Sequence, residues 1–571
     1  MKKSKQEVSH VYDLEAVNWT TSLSACCILA DGSDFYWYGH DAYRMLALKM
    51  MQVKGTWLAH AGGRYDLLLL LQFLPRPQSI TVTGSTVLAC DFGGGFVIRD
   101  SYPAWLSPLK KIGDAVGVPK IDVDRRFMQS LPPDELKRYN FNDCDILRRG
   151  DILMRSTFRA LQMDHKWTAG SAAMEGLRKL EPVAWREMNN HRIDSMSAVM
   201  AKTTAPGGLV DCAFYGRIDN VYCYDVKSSY PARYQEAPMG VGMVPADESD
   251  WDNQQANLLV RWTTNKRIVS VAPARSRFTM SGSGLCEAWL THGERMNLDP
   301  YIDRKSVVTG YKPALTMWVG KEFAATMFKY KEKLKIPFAK LWANSAHGKF
   351  LEDPIKDKWC RNSELGEYFP GIDMFRETED IFDGGLCGPH YQPCMAALVY
   401  GRARAHLVKS QLQVEAAGGQ FLYSDTDSIF TTLPPDKMPM KLGNELGELA
   451  FEGGPYSGIF LGPKMYLLHE NGKPKKIASK GVPIDRLTRG VVVDGVYQES
   501  EASTDDLRLR FFEQVLDSGT ARILKDGVRS FVTGAKKADW TDVKKEIRTV
   551  RQTWSGRQEV KQGFAPFKHF A

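Results

Sequence analysis

Apolar positions along the chain change spacing from one stretch to the next, and these changes predict an alternation of strands and helices. "HVYDLEAVNW" reads as a strand. "RYDLLLLLQFL" is apolar enough for a buried helix, entered from a turn at Gly62-Gly63. "LPPDELKRYNFNDCDILRRGDILMRSTFRALQM" reads as a helix opened by prolines, with Asp134 and Glu135 early, where a helix dipole favours acids. "VYCYDVKSSYP" reads as a strand that ends at Asp225 and is halted by Pro231. "KLWANSAHGKF" reads as a helix. "KMYLLHENGKPKKIASKGV" reads as two strands joined through Asn471-Gly472, a dipeptide suited to a tight hairpin. "DDLRLRFFEQVLDSG" reads as an amphipathic helix. Mixed spacing of this kind predicts α/β and α+β modules. Breaks near 165, 235–250 and 383–394 are candidate boundaries.

Length changes this picture little: 571 residues imply several domains. A hydrophobic share of 43% and a charged share of 25% fit a soluble globular protein, and no disordered or low-complexity tract interrupts them. A net charge of +8 permits a nucleic-acid partner without requiring one. Ten cysteines without a C-x-x-C pair fit neither a disulfide framework nor a zinc ribbon. They fit free thiols in a reducing cytoplasm. The N-terminal stretch has no apolar core of a secretory signal, and the aliphatic run Leu67–Leu71 is too short to span a bilayer, so no membrane role is expected.

The candidate chemistry lies in acids. In "FLYSDTDSIF", Asp425 and Asp427 are two apart, so an extended strand would place both on one face. Like charges that close repel, and a bound cation would relieve them. Magnesium takes one or two carboxylates and fills its shell with water and phosphate. Asp225, at the end of its strand in "DVKSSYP", is the natural third acid. The turn after it, with Ser228, could hold triphosphate oxygens, and Tyr230 could exclude a 2′-hydroxyl. On "KLWANSAHGKF", Lys340, Asn344, His347 and Gly348 share a helix face. Lys340 suits phosphate, and Gly348 leaves room for a base pair. Lys331 in "KYKEKLK" is a second phosphate candidate. "DTDS" alone is equally an acidic turn or a calcium loop.

Together, in this order, "DVKSSYP", "KLWANSAHG" and "YSDTDS" resemble the D-x-x-S-L-Y-P, K-x-x-x-N-S-x-Y-G and Y-x-D-T-D-S motifs of the family B DNA polymerases. The resemblance implies a right-hand polymerase of palm, fingers and thumb. It implies two magnesium ions, with manganese as a substitute, held by Asp225, Asp427 and the Val226 carbonyl, with Asp425 beside them. It also implies dNTP contacts from Lys340, Lys331, Ser228, Asn344, Gly348 and Tyr230. His347 stands where the family has tyrosine, and Ser229 where it has leucine.

The N-terminal third holds a second set: Asp13 and Glu15 in "YDLE", Asp66 in "HAGGRYD", and Tyr139 and Asp143 in "YNFND". Singly, each is a common surface pattern. In this order, ahead of the polymerase motifs, they resemble the three motifs of the 3′–5′ exonuclease domain, of ribonuclease H-like fold. That implies two further magnesium ions on Asp13, Glu15, Asp66 and Asp143, and a water-orienting Tyr139. Ala61 replaces the family's asparagine, which grips the single strand. Tyr65, Ser101 and Tyr102 match other single-strand contacts. A basic residue is expected between Asp66 and Tyr139, with Arg125 and Arg126 as candidates.

"APGGLVD" resembles the Y-x-G-G linker of the protein-primed branch, with Gly207 and Gly208 in place and Ala205 for the tyrosine. "KMY" resembles its K-x-Y motif, through Lys464 and Tyr466; Arg402 and Tyr423 are further expected DNA contacts. "TAGSAAM" and "HAGGRYDLLLLLQF" are most like the short polymerases of tectivirus-type phages. The implied organisation is a nuclease over 1–165, a linker and N-terminal palm over 166–235, and a first insertion over 236–320. Fingers over 321–352, a second insertion over 353–392, palm over 393–490 and thumb over 491–571 follow. The implied partners of this monomer are template and primer DNA, dNTPs and a terminal protein whose hydroxyl primes synthesis. A single-stranded DNA-binding protein is an optional further partner, and strand displacement is implied. The alternative is a family B enzyme that extends ordinary nucleic-acid primers.

Overall fold

The computed structural model describes residues 8–16, 21–83, 86–123, 125–194, 205, 207–263, 285–351, 358–361, 368–370, 387–479 and 504–518. It also describes the strand segments 490–493, 496–499, 520–528, 544–551, 559–560 and 563–564. Residues 264–284 of the segment expected as first insertion, most of the one expected as second insertion, and much of the one expected as thumb lie outside these residues.

A nine-stranded sheet organises the N-terminal third. Its order is Tyr368–Pro370, Lys358–Arg361, Ser79–Thr83, Thr86–Gly93, Phe96–Asp100, Thr56–Ala59, His10–Ala16, Ser22–Ile28 and Asp34–Tyr38. The central strands Phe96–Asp100, Thr56–Ala59 and His10–Ala16 pair in parallel, and apolar side chains cover both faces of the sheet. Tyr12, Leu14, Trp57 and Ala59 pack with Leu46 and Met50 of the helix Ala42–Val53 and with Leu67–Leu70. Val11, Cys26 and Leu58 face the other way, against Cys144, Ile146 and Leu147 of the long helix Pro133–Ala160.

A seven-stranded antiparallel sheet carries the polymerase motifs. Its order is Lys473–Ser479, Met465–Glu470, Leu449–Gly462, Gly216–Val226, Ser428–Thr431, Phe421–Asp425 and Val210–Cys212. Tyr224, Val226 and Ile429 pack on Leu407 and Val408 of the helix Pro393–Ala416. The expected hairpin at Asn471-Gly472 is present, with both residues at positive φ, 50° and 78°. Within the segment expected as first insertion, a four-stranded sheet packs beside the helix His292–Leu298.

Two expectations are corrected here. Pro231 does not halt the strand, which runs through Val226; it sits in the first turn of the helix Ser229–Glu236, where its missing N–H costs no helix bond. Asp425 and Asp427 do not share an extended strand. Thr426 and Asp427 form the two-residue turn between paired strands, and Thr426 takes φ 64°. Among the described residues eight cysteines are free and buried, and no helix is long and apolar enough to cross a membrane.

Candidate active sites

Strand register assembles the first site. Asp225 lies opposite Ser428 on one neighbour and Ala450 on the other. Because Asp427 is the turn residue just before Ser428, it is carried to the end of the Asp225 strand. There the Val226 N–H donates to the Asp427 carbonyl at 2.8 Å. Thr426 N–H donates to Leu209 O at 2.8 Å, which pins the hairpin tip to the linker. Ser228, Thr426 and Lys464 all hold positive φ (52°, 64° and 58°) without being glycine. Such conformations cost about 1–3 kcal/mol each and collect where the surrounding fold dictates them.

The electrostatics are uneven. Burial, then the charge of Asp225, raises the Asp427 carboxyl to about 7, and Lys340 opposes the shift. Burial, then Glu452, raises Asp225, with Lys340, Lys227 and Lys476 opposing. Asp425 is otherwise placed: Lys464 lies 3.2 Å away, and the Tyr423 and Thr426 hydroxyls donate at 3.4 and 3.1 Å. Among the described residues no three acidic, histidine or cysteine side chains form a ready-made metal cage. Two desolvated carboxylates nevertheless suit magnesium, which draws most of its ligands from water and phosphate.

Around these acids, the Lys331 ammonium reaches Ser228 Oγ at 3.3 Å. The Tyr230 ring lies 4.1 Å from that of His347 and 5.3 Å from that of Tyr400. Burial lowers His347 to about 3, so the ring is neutral, and its Nδ1 has no partner. Asn344 Oδ1 is likewise buried and unpaired. Lys340 is exposed, and a Cβ on Gly348 would meet nothing within 4 Å, so that position opens onto free space. A Cβ on Gly208 would stand 2.5 Å from the Tyr230 hydroxyl, so this glycine supports Tyr230 directly.

Three expected DNA contacts are placed differently. Tyr423 is wholly buried; its hydroxyl accepts from Lys464 N–H at 3.1 Å, so it braces the K-x-Y turn from within. Arg402 donates to the carbonyls of Ala237 and Pro238, both at 2.9 Å, and so caps the end of the helix Ser229–Glu236. Ser101 is buried and pairs with His60 Nδ1 at 3.0 Å. Tyr102 is 38% exposed, Tyr65 is half-buried, and Tyr466 packs 4.8 Å from Tyr423, ring to ring.

The second site joins one strand, one loop and two helices. Asp13 and Glu15 share the strand face that meets the helix Pro133–Ala160. Asn140 on that helix donates to Asp13 at 2.8 Å and accepts from Ser24 Oγ at 2.6 Å. Asp66 starts the helix Asp66–Leu70. The Tyr43 hydroxyl donates to the Glu15 carbonyl at 2.8 Å, and it is raised by burial and then by the charges of Asp66, Tyr65, Glu15 and Asp13. Asp143 is gripped by Lys120, whose ammonium lies 2.5 Å from Oδ1 and 3.4 Å from the Tyr139 hydroxyl.

Lys120 is a basic residue between Asp66 and Tyr139 that sequence reasoning did not single out; the side chains of its candidates, Arg125 and Arg126, lie outside the described residues. Lys120 comes from a loop with no periodicity, so only its place between the motifs could have pointed to it. Asp100 was also missed. This buried carboxylate accepts the N–H groups of Ala61 (2.9 Å), Gly63 (3.1 Å) and Tyr102 (2.8 Å), which shapes the loop before Asp66. Ala61 sits there at φ 59°.

No family model matches the sequence. A DNA-directed DNA polymerase of Enterobacteria phage PRD1 is 26% identical over 457 residues, which is 75% of each chain. The chain is similar to the protein-primed family B DNA polymerases, most like those of the tectivirus kind. Among solved structures, phi29 DNA polymerase with primer-template DNA and incoming nucleotides covers 95% of this chain and 100% of its own, at TM-score 0.66 and 18% identity. An orthorhombic crystal form of phi29 DNA polymerase covers 86% of this chain and 90% of its own, at TM-score 0.61 and 19% identity. The fold is that of these polymerases.

Proposed function

We propose that the chain is a DNA-directed DNA polymerase that starts from a terminal protein and edits with a 3′–5′ exonuclease. The observation that carries this reading is the meeting of Asp225, Asp427 and Lys340, which lie far apart in the sequence, beside Tyr230. Magnesium, or manganese in its place, would neutralise charge on the attacking and leaving oxygens, held by Asp225, Asp427 and the Val226 carbonyl at one site and by Asp13, Glu15, Asp66 and Asp143 at the other.

In this reading Lys340, and Lys331 through its place beside Ser228, meet the triphosphate as point charges. Tyr230, wedged between His347, Tyr400 and Gly208, is held rigidly enough to refuse a 2′-hydroxyl. Gly348 leaves space for the nascent base pair. At the nuclease, Lys120 and Tyr139 together fix Asp143 and the position of the attacking water. The nine-stranded sheet with its helices would be the nuclease, of ribonuclease H-like kind, and the seven-stranded sheet the palm. Strand displacement belongs to the same reading, as does a monomer working on template, primer and dNTPs, with or without a single-stranded DNA-binding protein.

The test is incorporation of labelled dNTP on a primed template, wild type against Asp427→Ala. Magnesium-dependent extension that the substitution removes supports the proposal; extension unaltered by it would overturn the assignment. The double variant Asp13→Ala, Asp66→Ala is expected to lose 3′-end degradation and keep extension. Initiation on an origin-bearing linear template, with and without the terminal protein, separates protein priming from use of an ordinary primer.

A further inference from the structure

The helix His292–Leu298 of the first insertion crosses the helix Pro393–Ala416 at close range. A Cβ on Gly401 would lie 2.2 Å from the Thr291 side chain, and one on Gly293 would lie 2.9 Å from Ala405 Cβ. Asn297 donates to the Ala405 carbonyl at 2.8 Å. Arg404 and Glu294 pair twice at this crossing, Nε to Oε1 at 2.6 Å and Nη2 to Oε2 at 3.1 Å, and each residue is 1% exposed. Glu294 Oε2 also accepts the Thr291 N–H at 2.9 Å and its hydroxyl at 2.8 Å.

A third arm of Arg404 leaves the pair. Its Nη1 donates to the Gly207 carbonyl at 2.9 Å. The next residue, Gly208, is the one that would strike the Tyr230 hydroxyl if it carried a Cβ, and Leu209 O holds Thr426 N–H. One guanidinium thus fixes a linker that supports both Tyr230 and the hairpin tip bearing Asp427. Buried ion pairs are weak sources of net stability, and well-packed apolar replacements often do as well. What this pair supplies is geometry: an oriented, three-way tie between insertion, palm helix and linker.

Resting on the polymerase reading, we propose that Arg404, oriented by Glu294, is a positioning residue for the incoming nucleotide. It acts through Gly207 and Gly208 to set the height of Tyr230 over the hairpin.

The test uses full-length Arg404→Lys and Glu294→Gln proteins. Lysine keeps the charge but cannot reach Glu294 and Gly207 together; glutamine keeps the Thr291 bonds but loses the charge that orients Arg404. Both are expected to raise the KM for dNTP by about 10-fold with kcat changed far less, as misplacement of a binding group does. Discrimination against ribonucleotides should weaken in parallel. Single-strand nuclease activity, remote from the tie, should stay at the wild-type level and report on folding. Unchanged KM and sugar discrimination in both variants would overturn the proposal. So would a parallel fall of extension and nuclease activity in both, which would mark a purely structural pair. A wild-type protein that extends no primed template would instead remove the polymerase reading beneath it.

Discussion

The two acid clusters are built on opposite principles. At the N-terminal cluster, the proposed nuclease site, the carboxylates already have donors: Lys120 holds Asp143, and Asn140 holds Asp13. At the polymerase cluster Asp225 and Asp427 are pressed together and desolvated, and the nearest ammonium groups act on them only at a distance. The third polymerase acid, Asp425, is the one that carries a lysine, Lys464. The first arrangement holds its shape before any ion arrives. The second holds its acids in mutual repulsion, which in the proposed reading a cation would relieve.

Removing one of the repelling acids is the hardest blow to this contrast. Asp225→Asn is expected to cut primer extension by about 10³-fold, equivalent to roughly 4 kcal/mol of barrier. Degradation of single strands, measured on the same preparation, should remain. Lys120→Met attacks the other side of the comparison. It leaves Asp143 buried without its cation, and nuclease rates are expected to fall about 10²-fold while extension persists. A fall in extension as large as that in nuclease activity would show that the two clusters are not independently held.

The stored repulsion also has a pH signature. Asp427 titrates in the folded protein at about 7, above its ordinary range, so the folded state binds the extra proton. Stability without divalent ions should therefore decline as pH rises from near 4 to near 7 and level off above that. Melting temperatures in chelator across that range would show the slope; Asp427→Asn should flatten it, and magnesium should restore stability at the alkaline end. The smallest effect is expected at Ala61, where a positive φ strains an alanine. Ala61→Asn, a residue better suited to that region, should raise stability by at most about 1 kcal/mol and tighten single-strand binding, read by thermal melting and by oligonucleotide titration.

The acids themselves were legible because they sit in compact local patterns, two or four residues apart, on elements whose type the apolar spacing reveals. Their partners were not. Lys120 and Asp100 reach the N-terminal acid cluster from segments with no periodicity, and only tertiary folding brings them in. The hairpin tip was misread because Thr426, β-branched and at positive φ, is the last residue one would place in such a turn; Leu209 compels it from outside the motif. Tyr423 and Arg402 carried the right chemistry for DNA, yet burial and backbone carbonyls had already claimed them.

The seam between the two halves bears on how an editing cycle could run. Val11 and Leu58 of the N-terminal sheet belong to the same apolar core as Trp342 and Met395, and the strand Lys358–Arg361 is hydrogen-bonded to Ser79–Thr83. A shared apolar core of this kind opposes hinging of the halves apart to hand over a substrate. In a protein working as proposed, a mispaired end must melt from its template and cross a fixed gap by itself, so the choice between elongation and excision becomes a property of how readily those last base pairs fray.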